Sequence, residues 1–299
     1  VVADMRLVYR ITDAVSGDMR KAMTGLRMTA NALWLALLVV VACTACASSQ
    51  PDEAPARAAG GYGTGDERVE VKLGPHRLAF AASYLRFGMA PASDTTIELV
   101  MAMPDLAPLQ HEPPMGSLAG AEKVEVWVHA LDEASMRRVF SDWMDLQHSD
   151  AKPDPLSGDK PRIKGDAVSG LVPFYLDLAA LRRQAEARGE KPDTVASPHR
   201  VYNRDWYLAY DAEGTPVSFI ECTPKVLDDG LEQADGRLRR RDAGNTDVVA
   251  DCNHKFVIAN LNASVSVAYA RAFLPEWRRI EDSVRQTIEQ ARTRSSRQR

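Results

Sequence analysis

From Lys123 to Leu131 the chain reads KVEVWVHAL, with Val124, Val126 and Val128 alternating against Glu125, Trp127 and His129. A period of two sends successive side chains to opposite faces of a strand, so this stretch buries its valines and leaves its other face partly wet. Val69, Val71 and Leu73 alternate in the same way, turn at Gly74-Pro75 and continue from Arg77 to Ala81, which predicts a hairpin. Thr95 to Met103 reads as a largely buried strand. Val201 to Tyr210 and Pro216 to Thr223 read as two strands joined through Asp211 to Gly214, and His254 to Asn260 and Ala263 to Ala270 as another pair around Leu261-Asn262.

Helical spacing is confined to a few places. Asp132 can cap a helix from Glu133 with Met136, Val139, Phe140 and Trp143 on one face. Leu178 to Arg188 predicts a short helix. The chain closes with an amphipathic helix in which Pro275 suits the first turn and Trp277, Ile280, Val284 and Ile288 line one face. Ser149 to Gly170, polar and rich in Pro and Gly, reads as a long loop. The expected fold class is α+β, a mostly antiparallel β-sheet with the C-terminal amphipathic helix packed on it. The expected organisation is residues 1–45 as upstream sequence plus signal peptide, 46–67 as a flexible tether, 68–291 as a single α+β domain, and 292–299 as a basic tail.

The expected address comes from Ala32 to Ala42, ALWLALLVVVA, an uncharged run of eleven residues. A spanning helix needs about twenty apolar residues, so the run matches the core of a signal peptide. Translation from Met19 would supply Arg20, Lys21 and Arg27 as its positive flank, and residues 1–18 are then expected to be upstream sequence. The run leads into Cys43 and Cys46. Small residues before a cysteine resemble the lipobox of bacterial lipoproteins, so one of Cys43 and Cys46 is expected to be acylated and to attach the chain to a membrane. Neither is followed by Asp, the residue resembling an inner-membrane retention signal, which favours the outer membrane. Ala47 to Glu67 is rich in Ala, Gly, Pro and Ser, as a tether requires.

An exported chain sits in an oxidising compartment, so Cys222 and Cys252 are expected to form a disulfide, worth about 3–4 kcal/mol in the chain-entropy picture. Cys222, Cys252 and His254 lack the spacing and the fourth ligand of a zinc site, so no metal is expected. Between the two cysteines, Asp228, Asp229, Glu232 and Asp235 are followed by Arg237, Arg239, Arg240 and Arg241. This reads either as a solvated insertion or as a partner-binding loop on a rigid base.

The chain's net charge is −4; residues 1–45 carry five basic and three acidic residues, so the remainder stands at −6. That balance argues against nucleic-acid binding, which needs a basic face. No catalytic set and no cofactor site emerges. Ser157-Gly-Asp-Lys160 matches an SxxK string without its companion motifs, and His111-Glu112 lacks a second histidine. Glu98 and Glu125, on predicted strands where they could face each other as an acid pair, with Tyr202, Trp206, Tyr207 and Tyr210, are the ingredients an envelope enzyme or wall-binding protein would use.

Several stretches together carry a resemblance: Ser83 to Phe87 (SYLRF), Met103 to Pro108 (MPDLAP), Phe219 to Cys222, Cys252 to Phe256 (CNHKF) and Ala268 to Ile280 (AYARAFLPEWRRI). They resemble an uncharacterised family of proteobacterial exported proteins, many of them lipoproteins, over roughly residues 70–290. The resemblance implies an exported single domain with a paired-cysteine staple and brings no catalytic residues. Small anchored domains of this kind also resemble the immunity lipoproteins that protect a cell from toxins delivered into the periplasm. The leading expectation is therefore a non-catalytic binding module facing the periplasm, whose partner is an envelope protein such as a secreted toxin. The rivals are the envelope enzyme or wall-binding protein, and a structural subunit of an envelope assembly.

Overall fold

Alternating valines become the spine of a large sheet. The computed structural model describes residues 65–114, 116–146, 153–241 and 249–297, with side chains up to 292. It has thirteen strands among those residues: β1 (Arg68–Leu73), β2 (His76–Ala81), β3 (Thr96–Ala102), β4 (Ala107–Pro108), β5 (Lys123–Ala130), β6 (Arg162–Lys164), β7 (Val172–Leu176), β8 (Asp205–Tyr210), β9 (Pro216–Cys222), β10 (Leu231–Ala234), β11 (Arg237–Arg240), β12 (Asp251–Ile258) and β13 (Ala263–Ala270). The longer helices are α1 (Glu133–Trp143), α2 (Leu178–Ala187) and α3 (Trp277–Arg297). The expected mostly antiparallel sheet with a C-terminal helix packed on it is what the chain adopts.

Nine strands form one sheet in the order β4-β3-β5-β13-β12-β9-β8-β7-β6, antiparallel throughout. β1 and β2 form a separate hairpin, and so do β10 and β11. In β5 the three valines are fully buried while Glu125, Trp127 and His129 stay partly exposed, as the period of two requires. The valine face of the sheet is covered by α3 and by the β1–β2 hairpin, whose Val71, Leu73, Leu78 and Phe80 join the same core. Trp277, Ile280, Val284 and Ile288 of α3 are all buried there. The opposite face holds a smaller core of Met144, Leu146, Phe174, Trp206, Leu208 and Phe219, closed by Phe140 and Trp143 of α1. Asp132 caps α1, its carboxylate accepting from the Ser135 amide at 2.7 Å.

Three local expectations differ from the fold. The strand expected from Val201 starts at Asp205, because Asn203 is drawn into a turn: its side-chain amide donates to the Val195 and Ser197 carbonyls, both at 2.8 Å. The long loop expected through Gly170 contains β6, which pairs with β7. Pro275 lies in a 3₁₀ turn, Arg271–Glu276, that leads into α3.

A buried polar cluster bolts α3 to the sheet. Glu281 of α3 accepts from the Ser218 hydroxyl of β9 (2.6 Å) and from His254 Nε2 of β12 (3.0 Å). Its other oxygen takes Arg285 Nε at 2.8 Å, and Arg285 also donates to the Val257 carbonyl. Burial by itself pushes the Glu281 carboxyl up; the bonds from His254 and Ser218 and the Arg285 charge outweigh it and hold it below the usual carboxylate range. His254 is fully buried, and burial pushes it below its ordinary value despite the carboxylate. Its Nδ1 has no hydrogen-bond partner, so the ring sits as the neutral Nε2–H form with no place for a second proton.

Both groups work in the same direction as pH falls. The unfolded chain protonates its histidine near 6.5 while folded His254 resists, so stability declines below 6.5. The unfolded carboxyl protonates near 4.5 while Glu281 resists protonation below that, so stability falls again as pH drops past 4.5. Urea unfolding at pH 8, 6 and 5 is expected to show a falling midpoint, with the first decline reduced in His254→Phe to the share left by His129, which burial also holds below its ordinary value. A midpoint flat from pH 8 to 5 contradicts this assignment. Glu281→Ala is expected to cost on the order of 3 kcal/mol by leaving Arg285 and His254 unpaired at the helix–sheet seam.

Candidate functional site

The strongest concentration of polar constraint surrounds the excursion between β9 and β12. Cys222 and Cys252 stand directly opposite each other in register and are disulfide-bonded, with both side chains fully buried. Beside the bond, Arg204 donates to both carboxylate oxygens of Asp251 (2.7 and 2.6 Å) and to the Thr223 hydroxyl (2.9 Å). Burial tends to raise the Asp251 carboxyl, but the Arg204 fork outweighs it and holds it below the usual carboxylate range. Arg271 donates to the carbonyls of Thr223, Pro224 and Leu227 at 2.9, 2.7 and 2.6 Å, which ties down the outgoing arm.

The charged segment inside this staple is a docked hairpin. β10 and β11 meet at a two-residue turn in which Asp235 (φ 53°) and Gly236 (φ 76°) both take positive φ, the type I′ geometry that matches strand twist. A Cβ on Gly236 would lie 2.8 Å from Pro104 Cβ, so the turn needs glycine for space as well as for conformation. Leu231 and Leu238 are buried in the main core. Glu122 receives the hairpin: it accepts the Leu238 amide at 2.9 Å and pairs with Arg237 at 2.8 Å.

The residues expected in a partner loop therefore separate into roles. Asp229 is buried and joins the two arms, accepting the Leu231 amide (3.2 Å) and the Ala250 amide (2.9 Å). Asp228 accepts the Gly230 amide and pairs with Arg241; Arg239 pairs with Asp235 at 3.3 Å; Arg240 is engaged as well. Arg237, Arg239 and Arg241 are exposed, each beside an acidic neighbour. Asp-Gly between two leucines was the sequence signal for this hairpin, partly hidden by the charges around it.

The ingredients of the enzymatic reading do not converge. Glu98 lies opposite Trp127 and Glu125 opposite Val100, so the two carboxylates share a face two registers apart. Each has its own cation, Arg86 at 3.3 Å and Lys123 at 3.0 Å. Tyr207 joins the main core while Trp206 and Tyr210 join the smaller core on the other face, and Tyr202 is exposed in a turn. Ser157 donates to the Asp154 carbonyl, whereas Lys160 reaches the Tyr202 carbonyl, so the SxxK string forms no pair. Among the described residues no group of three or more His, Cys, Asp or Glu side chains is placed to hold a metal. No helix among them is long and apolar enough to cross a membrane. Cys43, Cys46 and the tether up to residue 64 lie outside the described residues.

One cluster went unrecognised in the sequence. Lys160 and Arg162 reach the turn before β8, donating to the Tyr202 and Arg204 carbonyls, and Arg200 lies in that turn. Arg162 lies flat over the Trp206 ring, 3.3 Å from its centre, and donates to the carbonyls of Phe174 (3.3 Å) and Arg204 (2.8 Å). Burial pushes Arg162 down to about 9, with Asp205 and Glu221 offsetting only part. Burial, then the charges of Arg162 and Arg200, push Lys160 below its ordinary value. Spacings of 2 and 38–40 residues carry no local pattern, so only the tertiary fold brings these cations together.

No protein-family profile matches the chain, and no curated protein does. Among solved structures the finding is specific. The chain is similar to an immunity protein. That structure is an immunity protein of the Stenotrophomonas maltophilia type IV secretion system, 28% identical, with a TM-score of 0.59 over 76% of this chain and 93% of that one. Nearly the whole of the neighbour is thus matched, and the likeness extends to sequence as well as to fold. The class-level resemblance to immunity proteins that the sequence suggests is met by this neighbour.

Glu122→Ala is expected to undock the β10–β11 hairpin by stranding the buried Leu238 amide, at a cost of roughly 1–3 kcal/mol. Limited proteolysis should then cut between 231 and 240 while the parent chain resists. Equal resistance in the two proteins would show that Glu122 does not hold the hairpin.

Proposed function

We propose that this chain is a lipid-anchored immunity protein that binds an antibacterial toxin in the periplasm and neutralises it. The observation that carries the proposal is the match to a secretion-system immunity protein at 28% identity over 93% of that structure. Three features of this chain support it. A lipobox at Cys43 or Cys46 would place the domain on the membrane that such a toxin has to reach. Residues 47–67 have the composition of a tether that lets the domain search the space around its anchor. The buried Cys222–Cys252 disulfide suits an oxidising compartment. Neutralisation needs no catalytic residue, only a rigid surface complementary to the toxin, and a nine-stranded sheet packed on both faces provides rigidity.

The test is contact competition. A strain lacking this chain, grown against secretion-competent parental cells, is expected to be killed, and the intact chain should restore survival. Unchanged survival without the chain would sink the proposal. Labelling with a palmitate analogue checks the anchor: one of Cys43→Ser and Cys46→Ser should abolish the label and release the protein from membranes, and label that survives both single changes and the double change would refute a lipobox.

A further inference from the structure

A mildly acidic chain has little reason to gather cations without acids between them. Around Lys160, Arg162 and Arg200 no carboxylate lies within ion-pair distance among the described residues. The acids that act on Lys160 from further away are Asp145 and Glu221, and Glu221 is committed to Lys255 at 2.7 Å. Lys160 is held by the Tyr202 carbonyl and the Asn203 side chain, and Arg162 by two carbonyls. Neutral acceptors fix their positions; the acids that act on them, Asp205 and Glu221 on Arg162 and the Arg188-paired Glu190 on Arg200, form no direct ion pair with them and offset their charge only in part.

Directly beside these cations, Val201 is 60% exposed and Tyr202 is 65% exposed. Leu156, on the loop that delivers Lys160, is exposed as well. The turn carrying Val201 and Tyr202 is rigid: the Asn203 amide donates to the Arg200 carbonyl, and the Asn203 side chain is tied to Val195 and Ser197. An exposed tyrosine on a preorganised turn, flanked by cations, has the composition of an interface anchor.

We infer that the patch of Lys160, Arg162, Arg200, Val201 and Tyr202 is the toxin-docking surface, and that the toxin meets it with carboxylates around an apolar pocket for Tyr202. This rests on the immunity reading above. Charge complementarity selects the occupant: removing these cations from water is favourable only when the partner supplies negative charge. The β10–β11 arginines are a weaker candidate, because Arg237, Arg239 and Arg241 already have acidic neighbours within their own fold.

The test uses the full anchored chain in the contact competition described above. Arg200→Glu with Tyr202→Ala changes two exposed side chains, and Lys160→Glu is added as a third change. At unchanged abundance and unfolding midpoint, the double variant is expected to lower survival about tenfold or more relative to the wild-type chain. Arg239→Glu with Arg241→Glu should protect as well as wild type. Full protection by the Arg200→Glu/Tyr202→Ala chain overturns the docking site and leaves the immunity reading standing. Failure of the wild-type chain to protect removes both. Retention of the purified domain on phosphatidylglycerol vesicles, lost in the double variant, would assign these cations to lipid and also overturn the proposal.

Discussion

The pairing of β12 and β13 with each other and with their two outer neighbours is the constraint on which the rest of the sheet depends. β3, β4 and β5 come from the first part of the domain, and β6 to β9 from the middle. These two groups never pair directly; β13 lies against β5, and β12 lies against β9. Val265 must find Val128, and Cys252 must find Cys222, before either half has a continuous sheet to belong to. Pairings this distant in sequence carry a large loop-closure cost and are rewarded only once the hairpin is in place.

The same hairpin gathers the other stabilising devices. Its His254 hydrogen-bonds Glu281 and so receives α3, its Cys252 carries the disulfide, and its Asp251 takes the Arg204 fork. α3 follows β13 after one short turn, so sheet completion and helix docking are coupled by connectivity. This gives the cluster of Ser218, His254, Glu281 and Arg285 its physical sense. Four polar groups at a helix–sheet seam cost desolvation, yet the bonds of Glu281 to Ser218, His254 and Arg285 form in one relative placement of α3, β9 and β12, and that sets the helix register where apolar packing alone tolerates sliding.

A rigid scaffold of this kind shapes what can be done at its surface. The excursion from Thr223 to Ala250 leaves the sheet beside the disulfide and is folded back by Asp229 and Glu122. The turn from Arg200 to Asn203, at the other meander, is held as firmly and keeps its charge and its aromatic ring outward. Both are loops held by buried polar bonds, and they differ in whether their cations are directly ion-paired with acids. On the docking proposal, that difference in pairing, more than the number of charges, is what favours one surface over the other.

Much of the sheet was legible in the sequence, because alternation is a local property: β5 announces its faces through Val124, Val126 and Val128, and α3 through Trp277, Ile280, Val284 and Ile288. The Cys222–Cys252 pairing was expected from reading the chain as exported, and the two cysteines are bonded. β6 has three residues and β10 and β11 have four each, too few for a period to stand out, so they were absorbed into loops. Asp229 and Glu122 look like any surface acid until the fold surrounds them. Lys160 and Arg200 lie forty residues apart, and nothing between them foretells that they share a patch. By itself the sequence determined the fold class and the buried face of each long strand, both of which rest on side-chain order along a short stretch of chain. Only the tertiary structure decided the strand order, which acids turn inward and which cations lack a directly paired acid, because burial and electrostatic pairing depend on neighbours that the chain brings together from far apart.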